Sequence, residues 1–523
     1  MRKLILSFIL LITFNFSGNS QSKIYYVSPE GNDQHTGLAK ESSWKTIERV
    51  NQTIFQPGDL ILFKSAGVWK GQLQPKGSGV AGKPIVINSY GGNEKPIINL
   101  GEAEGAGIQL VNQSWWEINN MEITSGAPPK LGIGREGIVA WVKGNGQDVR
   151  HITIRDCYVH DIWGQLGGST EYTGYNSCAI MVQKKDSSTS LLNDVLIENN
   201  RIERFDKVGI IIFGAKDNVI VRKNRIENTG GDAIIVAGSY KGLIEHNVAI
   251  RSCLRSGDPD LKGGEKWWPH TAAIWIARAT ETVMQFNEAY ETGRQAGNGD
   301  GFAYDFDFDC KRCVLQYNYS AYGHGLLLIM NKTNDNIARY NISENDQTHL
   351  VQIHGNTEDG NLIHNNIFYV DHSTVDLDFY SGMEDERDKN KLGATFSNNI
   401  FYATGQGRFR SVYSHGSTLD RKFNDSLQLG PNADGPKFNR NCYFGPWLKA
   451  LPDDKEKLMA DPLFAAPGRG AVGLSKLSGY QLLKGSPCIN AAIPIKTNSI
   501  SDFFGNRIKD KTLNIGAEER TIF

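Results

Sequence analysis

Val195-Leu-Ile-Glu-Asn-Asn200 is a short apolar alternation that closes on asparagine. It returns as Val219-Ile-Val-Arg-Lys-Asn224, Leu243-Ile-Glu-His-Asn247, Val283-Met-Gln-Phe-Asn287, Val314-Leu-Gln-Tyr-Asn318, Ile337-Ala-Arg-Tyr-Asn341, Ile363-His-Asn-Asn366 and Thr395-Phe-Ser-Asn-Asn399. The closing asparagines are 24, 23, 40, 31, 23, 25 and 33 residues apart. One unit length therefore recurs, lengthened in places by insertions. Short β-type segments at that period, with Gly and Asn turns and no helical stretch between them, are the signature of stacked coils. The predicted fold is all-β, a single-stranded right-handed parallel β-helix. Each coil pairs with its neighbours at about 4.8 Å, and the recurrent asparagine is placed to hydrogen-bond its own copies and satisfy buried turn backbone. A propeller would need longer repeats and a closing blade.

Working outward, residues 21–523 read as one such domain. N-terminal coils occupy about 21–125, central coils about 126–405, and an irregular closing segment about 406–523. Residues 1–20 read as a secretory signal peptide, with Arg2 and Lys3 before an apolar run from Leu4 to Phe14 and small residues Gly18 and Ser20 after it. That run is too short to span a bilayer. The expected location is secreted or periplasmic.

Composition narrows the partners. The chain carries 56 Lys+Arg against 57 Asp+Glu, a net charge of -1, and is 40% hydrophobic. It has no long basic block, so neither nucleic acid nor an anionic membrane surface is an expected partner. With 19 Tyr and 10 Trp, flat amphipathic side chains are plentiful, which suits carbohydrate contact. The seven Cys are too few for a disulfide scaffold, and Cys310-Lys311-Arg312-Cys313 reads as a structural turn or local bridge.

Tyr25-Tyr-Val-Ser-Pro-Glu-Gly-Asn-Asp33, Trp44-Lys-Thr-Ile47, Pro57-Gly-Asp59 and Lys83-Pro-Ile-Val-Ile87 resemble the N-terminal coils of secreted bacterial β-helix enzymes acting on polysaccharides, the pectate-lyase-like superfamily. Asp461-Pro-Leu-Phe464, Gly485-Ser-Pro-Cys488 and Asn514-Ile-Gly-Ala517 are similar to its closing segment. The resemblance implies the fold, export and a polysaccharide or oligosaccharide substrate. It leaves the reaction open, because that superfamily holds hydrolases, lyases and non-catalytic binders.

Aligning coils on the asparagines puts Ile274–Ala277, Tyr304–Asp307, Leu327–Met330, Val351–His354 and Val375–Asp378 in register. Side chains alternate faces, so the outward columns are expected to read Trp275, Asp305, Leu328, Gln352, Asp376 and Ala277, Asp307, Met330, His354, Asp378. Polarity is expected to begin at Trp275. Asp305, Asp307 and Asp309 fall at i, i+2 and i+4, about 7 Å per step, which covers the carboxylate separations used in glycoside hydrolysis. The same three oxygen donors would otherwise form a Ca²⁺ site, although no cofactor is required.

Gly323-His324-Gly325, one coil on, resembles the Gly-His-Gly of polygalacturonases, where a His neighbours aspartates. The Asn-Thr-Asp of that family is absent upstream. Expected catalytic residues are Asp305, Asp307 and His324. Expected substrate-binding residues are Trp268 and His270, in a corner insertion, with Trp275, Arg278, Asp309, His354, Asp376 and Asp378. Arg278 is suited either to a substrate carboxylate or sulfate or to an ion pair with Asp309. A glycoside hydrolase of plant or algal polysaccharide is the expected function. The alternatives are a Ca²⁺-dependent lyase of a uronic-acid polymer, with the aspartates holding the ion, and a non-catalytic glycan-binding β-helix.

Overall fold

The computed structural model describes residues 21–127, 134–163, 177–185, 188–254, 271–293, 301–354, 357–381, 392–415, 422–424, 435–448, 451–496, 499–508 and 513–519. Its strands stack into three long sheets of 14, 14 and 13 strands, each coil giving one strand to each sheet in turn. Nearly all pairings are parallel. The exceptions among the named strands are at the C-terminal end, where Lys422–Asn424 runs antiparallel to Arg408–His415. A short helix, Ile47–Gln52, lies near the N-terminal end and buries Ile47 and Val50.

The asparagine ladder is present and longer than the sequence phrase that revealed it. Asn200 Nδ2 donates to Asn224 Oδ1 at 2.9 Å, and the same bond links Asn224 to Asn247, Asn247 to Asn287, and onward to Asn441. Asp454 Oδ2 ends the stack by accepting from Asn441 Nδ2. Each side chain also bonds turn backbone; Asn287 Nδ2 donates to Ile244 O, and its Oδ1 accepts Asn247 N–H. The residue before each asparagine turns the chain in the left-handed region, as at Asn199, Lys223, His246, Phe286 and Tyr317, with φ between 53° and 58°. A ladder amide thus replaces the strand hydrogen bonds that a sharp corner gives up.

The third sheet matters most for function. Its inward residues, among them Ile274, Ile276, Tyr304, Phe306, Leu327, Ile329, Val351 and Ile353, are buried in the main core, where each large aliphatic contributes about 1.5–3 kcal/mol by leaving water. The Tyr304 hydroxyl lies 2.9 Å from the carbonyl oxygens of both Asn287 and Tyr319, which pins the strand that carries Asp305. All seven cysteines are buried, and none forms a disulfide. Cys310 and Cys313 donate to the Ile276 and Ala279 carbonyls, so this pair forms a structural turn. Among the described residues no helix is long and apolar enough to cross a membrane.

Candidate active site

The outward face of the third sheet changes character along the stack. One column, in register, runs Val139, Met181, Ile211, Ile235, Trp275, Asp305, Leu328, Gln352, Asp378. Its first half is not solvated: Val139, Met181, Ile211, Ile235 and Trp275 are buried in a second apolar cluster with Ala106, Cys178, Val208 and Ala272. Trp275, expected to open the polar face, instead closes the apolar one. Its indole is 8% exposed, and its Nε1–H donates to Asp232 Oδ1 at 2.7 Å. Asp232 Oδ1 also accepts the Ala272 N–H at 2.9 Å.

Polarity therefore begins one rung later, at Asp305. This residue is 7% exposed and sits on Tyr304–Phe306, paired with Trp275 on one side and Leu328 on the other. The strand ends at Phe306. Asp307 is half-buried just beyond it, its N–H donating to Ile276 O at 2.9 Å. Asp309 does not continue the row as expected: it lies in a turn with φ 60°. The three carboxylates are not one strand face, and among the described residues no group of three or more His, Cys, Asp or Glu is arranged to hold a metal ion.

His324 sits on the other side of Asp305 from Asp307. It is 2% exposed, its ring edge-on to Phe302 at 5.0 Å and to His349 at 4.9 Å, and its carbonyl accepts the N–H groups of Thr348 and His349. The glycines around it have distinct jobs. A Cβ at Gly325 would lie 2.2 Å from the His349 carbonyl oxygen and 2.7 Å from the Phe302 ring, so only glycine lets these rungs approach. Gly323 N–H donates to Asp346 Oδ1, whose other oxygen accepts the Ser320 and Ser343 hydroxyls. Burial pushes the Asp346 carboxyl up to about 6.

Farther along, the expected register shifts by two residues. The strand begins at His349, and a bulge between His349 and Val351 sets Gln352 opposite Asp378 and His349 opposite Asp376. Gln352 Nε2 donates to Asp378 Oδ2 at 2.7 Å, and His349 Nδ1 lies 3.9 Å from the same oxygen. Asp376 is clamped by Arg410 through two bonds of 2.8 and 2.7 Å. Asp376 is thus engaged in an ion pair and Asp378 in a buried amide contact. His354 occupies the column of Asp307 and Met330, with Nδ1 3.1 Å from Met330 Sδ.

Arg278 is exposed at the strand end, and no ion pair joins it to Asp309 among the described residues. Trp268 and His270 lie outside the described residues. His349 was missed because its strand begins two residues before the expected Val351; Phe302 and Asp232 were missed because they lie just ahead of the strands Tyr304–Phe306 and Ile234–Ala237, where strand alternation does not reach. Glu136, in the same sheet, was missed because it lies on a coil ahead of the aligned strands; burial, reinforced by Glu104, pushes its carboxyl up to about 7.

Comparisons with known proteins agree with this architecture. A family model described as a right handed beta helix region matches residues 106–257. The chain is 26% identical to a lacto-N-biosidase of Bifidobacterium longum subsp. longum over 96% of its own length, and it spans 37% of the length of that relative. Among solved structures it is similar to the GH136 lacto-N-biosidase from Eubacterium ramulus, with TM-score 0.56 and 19% identity over 80% of this chain and 68% of that one. It is also similar to XylC in complex with xylose, with TM-score 0.53 and 11% identity over 95% and 98% of the two chains. The three stacked sheets and these likenesses together make the chain a right-handed parallel β-helix, similar over most of its length to lacto-N-biosidases.

Proposed function

We propose that this chain is an exported glycoside hydrolase whose reaction takes place where the outward face of the third sheet turns polar. The observation that carries the reading is the pair Asp305 and Asp307: two carboxylates two residues apart, one enclosed between Trp275 and Leu328, the other half-exposed past the strand end. Glycoside cleavage needs one carboxyl that protonates the leaving oxygen and another that serves as anion, and unlike environments divide those roles. Asp305, the enclosed group, is assigned as general acid, and Asp307, open to water and sugar, as base or nucleophile. His324 is a positioning residue, packed on Phe302 beside the Asp305 strand. The likeness to lacto-N-biosidases supports hydrolysis over elimination.

The test is to incubate the protein with oligosaccharides bearing a terminal lacto-N-biosyl group and with plant and algal polysaccharides, each with Ca²⁺ or chelator. Reducing ends and unsaturated-uronate absorbance are read in parallel. New reducing ends without absorbance, lost in Asp305→Asn and Asp307→Asn, are expected. Absorbance abolished by chelator would instead assign a lyase, and binding without either product a glycan-binding module.

A further inference from the structure

A groove of about 310 Å³ opens at the corner that follows the third sheet, and its lining includes Lys184, Lys216 and Arg278 but no carboxylate. Its floor is built from one corner position repeated over successive rungs. The register Gln183, Phe213, Ala237, Ala277 places Lys184, Gly214, Gly238 and Arg278 in line along the stack. Gly214 and Gly238 have φ of 75° and 87°, and Arg278 keeps the same left-handed turn at 48°. Two rungs thus lack a side chain of their own; the aliphatic stem of Lys184 lies against Gly214, and open backbone remains at Gly238 between it and Arg278. At about 4.8 Å per rung the backbones of Lys184 and Arg278 are about 14 Å apart, and the groove holds one or two sugar units. Lys216 and Tyr240 line the groove in the next column.

Some cations on this surface are paired with acids and others are not. Arg201, Arg204, Arg222, Arg225 and Arg312 each pair with a glutamate or aspartate. Lys184, Lys216 and Arg278 make no ion pair among the described residues. The nearby carboxylate of Glu281 is engaged by Arg312 and Lys241 instead. Three cations without an ion pair among the described residues, around a groove lined by no carboxylate, suit a ligand that brings its own negative charge, and a planar guanidinium at one end suits a group with several acceptor oxygens.

We infer that this groove is a subsite for an acidic sugar, one carrying a sulfate or carboxylate, lying one rung from Asp307 and extending the substrate class from neutral to anionic glycans. The inference rests on the hydrolase reading for the identity of the ligand as a glycan, but its test does not depend on turnover. Binding is measured by calorimetry on the full chain, using a sulfated oligosaccharide, a hexuronate oligosaccharide of matching length, and their neutral parent. The anionic forms are expected to bind about tenfold more tightly than the neutral one, with the difference fading at about 0.5 M salt. The sulfated and hexuronate arms identify which acid is preferred.

Lys184→Gln combined with Lys216→Gln should remove most of the preference. Arg278→Asn, which suits a left-handed corner better than arginine, should remove it without loss of thermal stability. Equal binding of neutral and anionic sugars, or a preference surviving all three substitutions, overturns the subsite. Turnover of neutral substrates with no charge preference would sink the groove and leave the hydrolase; preference without turnover would do the reverse.

Discussion

One sheet of this β-helix presents two unlike outer faces. From Val139 to Trp275 the outward column is sealed into an apolar cluster, whereas from Asp305 to Asp378 it carries two carboxylates and an amide, interrupted by Leu328, with Gln352 bonded to Asp378. The backbone hardly distinguishes them, since the register continues unbroken from Ile235 through Trp275 to Asp305. The difference lies in what side chains do once outside the core. Apolar ones stabilise the stack by leaving water, and acids at the same positions contribute little to the stack and become available for chemistry. Trp275 is the hinge between the two, with its ring in the cluster and its N–H on Asp232.

The sharpest way to test that division is to remove the acids. Asp305→Asn and Asp307→Asn should each lower kcat roughly a hundred- to ten-thousand-fold with the unfolding midpoint unchanged, read by steady-state kinetics beside thermal melts. A variant that keeps more than half of wild-type turnover would remove that residue from the mechanism. The converse substitution lies in the sealed face. Ile211→Ala should cost about 2–5 kcal/mol of stability by chemical denaturation while leaving turnover per folded molecule intact. A kinetic defect there at full stability would mean that the apolar face is part of the active site.

The turn carrying His324 provides a pH test. Asp346 has its carboxyl pushed up to about 6 from 3.8 by burial. A group bound more tightly by its proton when folded contributes stability that is complete below the unfolded value and lost as pH rises through the folded one. Wild-type stability should thus carry a loss of about 2–3 kcal/mol between about pH 4 and 6, and urea unfolding of Asp346→Asn across that range should lack it. An unchanged slope would show that the buried carboxyl does not titrate there. The smallest effect is expected at the hinge. Trp275→Phe deletes one buried hydrogen bond to Asp232 and should cost about 1–2 kcal/mol. A cost near zero by the same denaturation measurement would mean that the bond holds nothing in place.

Much of the frame was legible because the asparagine ladder is a one-dimensional code. The same residue must recur at every coil for the amides to meet, so Asn200 through Asn399 announced the stack and its inward face. The outward columns were legible only while the strands stayed regular. Trp275, Asp305 and Leu328 fell where alternation put them, but a bulge at His349 shifted Asp376 and Asp378 by two residues, and an early strand end turned Asp309 out of line. Arg410, which clamps Asp376, lies 34 residues away in sequence and carries no local signal at all.

What this sequence determines by itself is the repeat: a short alternating segment closed by asparagine can bury its apolar face only by stacking on copies of itself, so the β-helix follows from local pattern. Which outward residues are enclosed, paired or open is decided by tertiary structure alone. That depends on what the neighbouring rungs and corners bring against each side chain, and a period in sequence does not record which rung a bulge displaces or which face an apolar cluster has sealed.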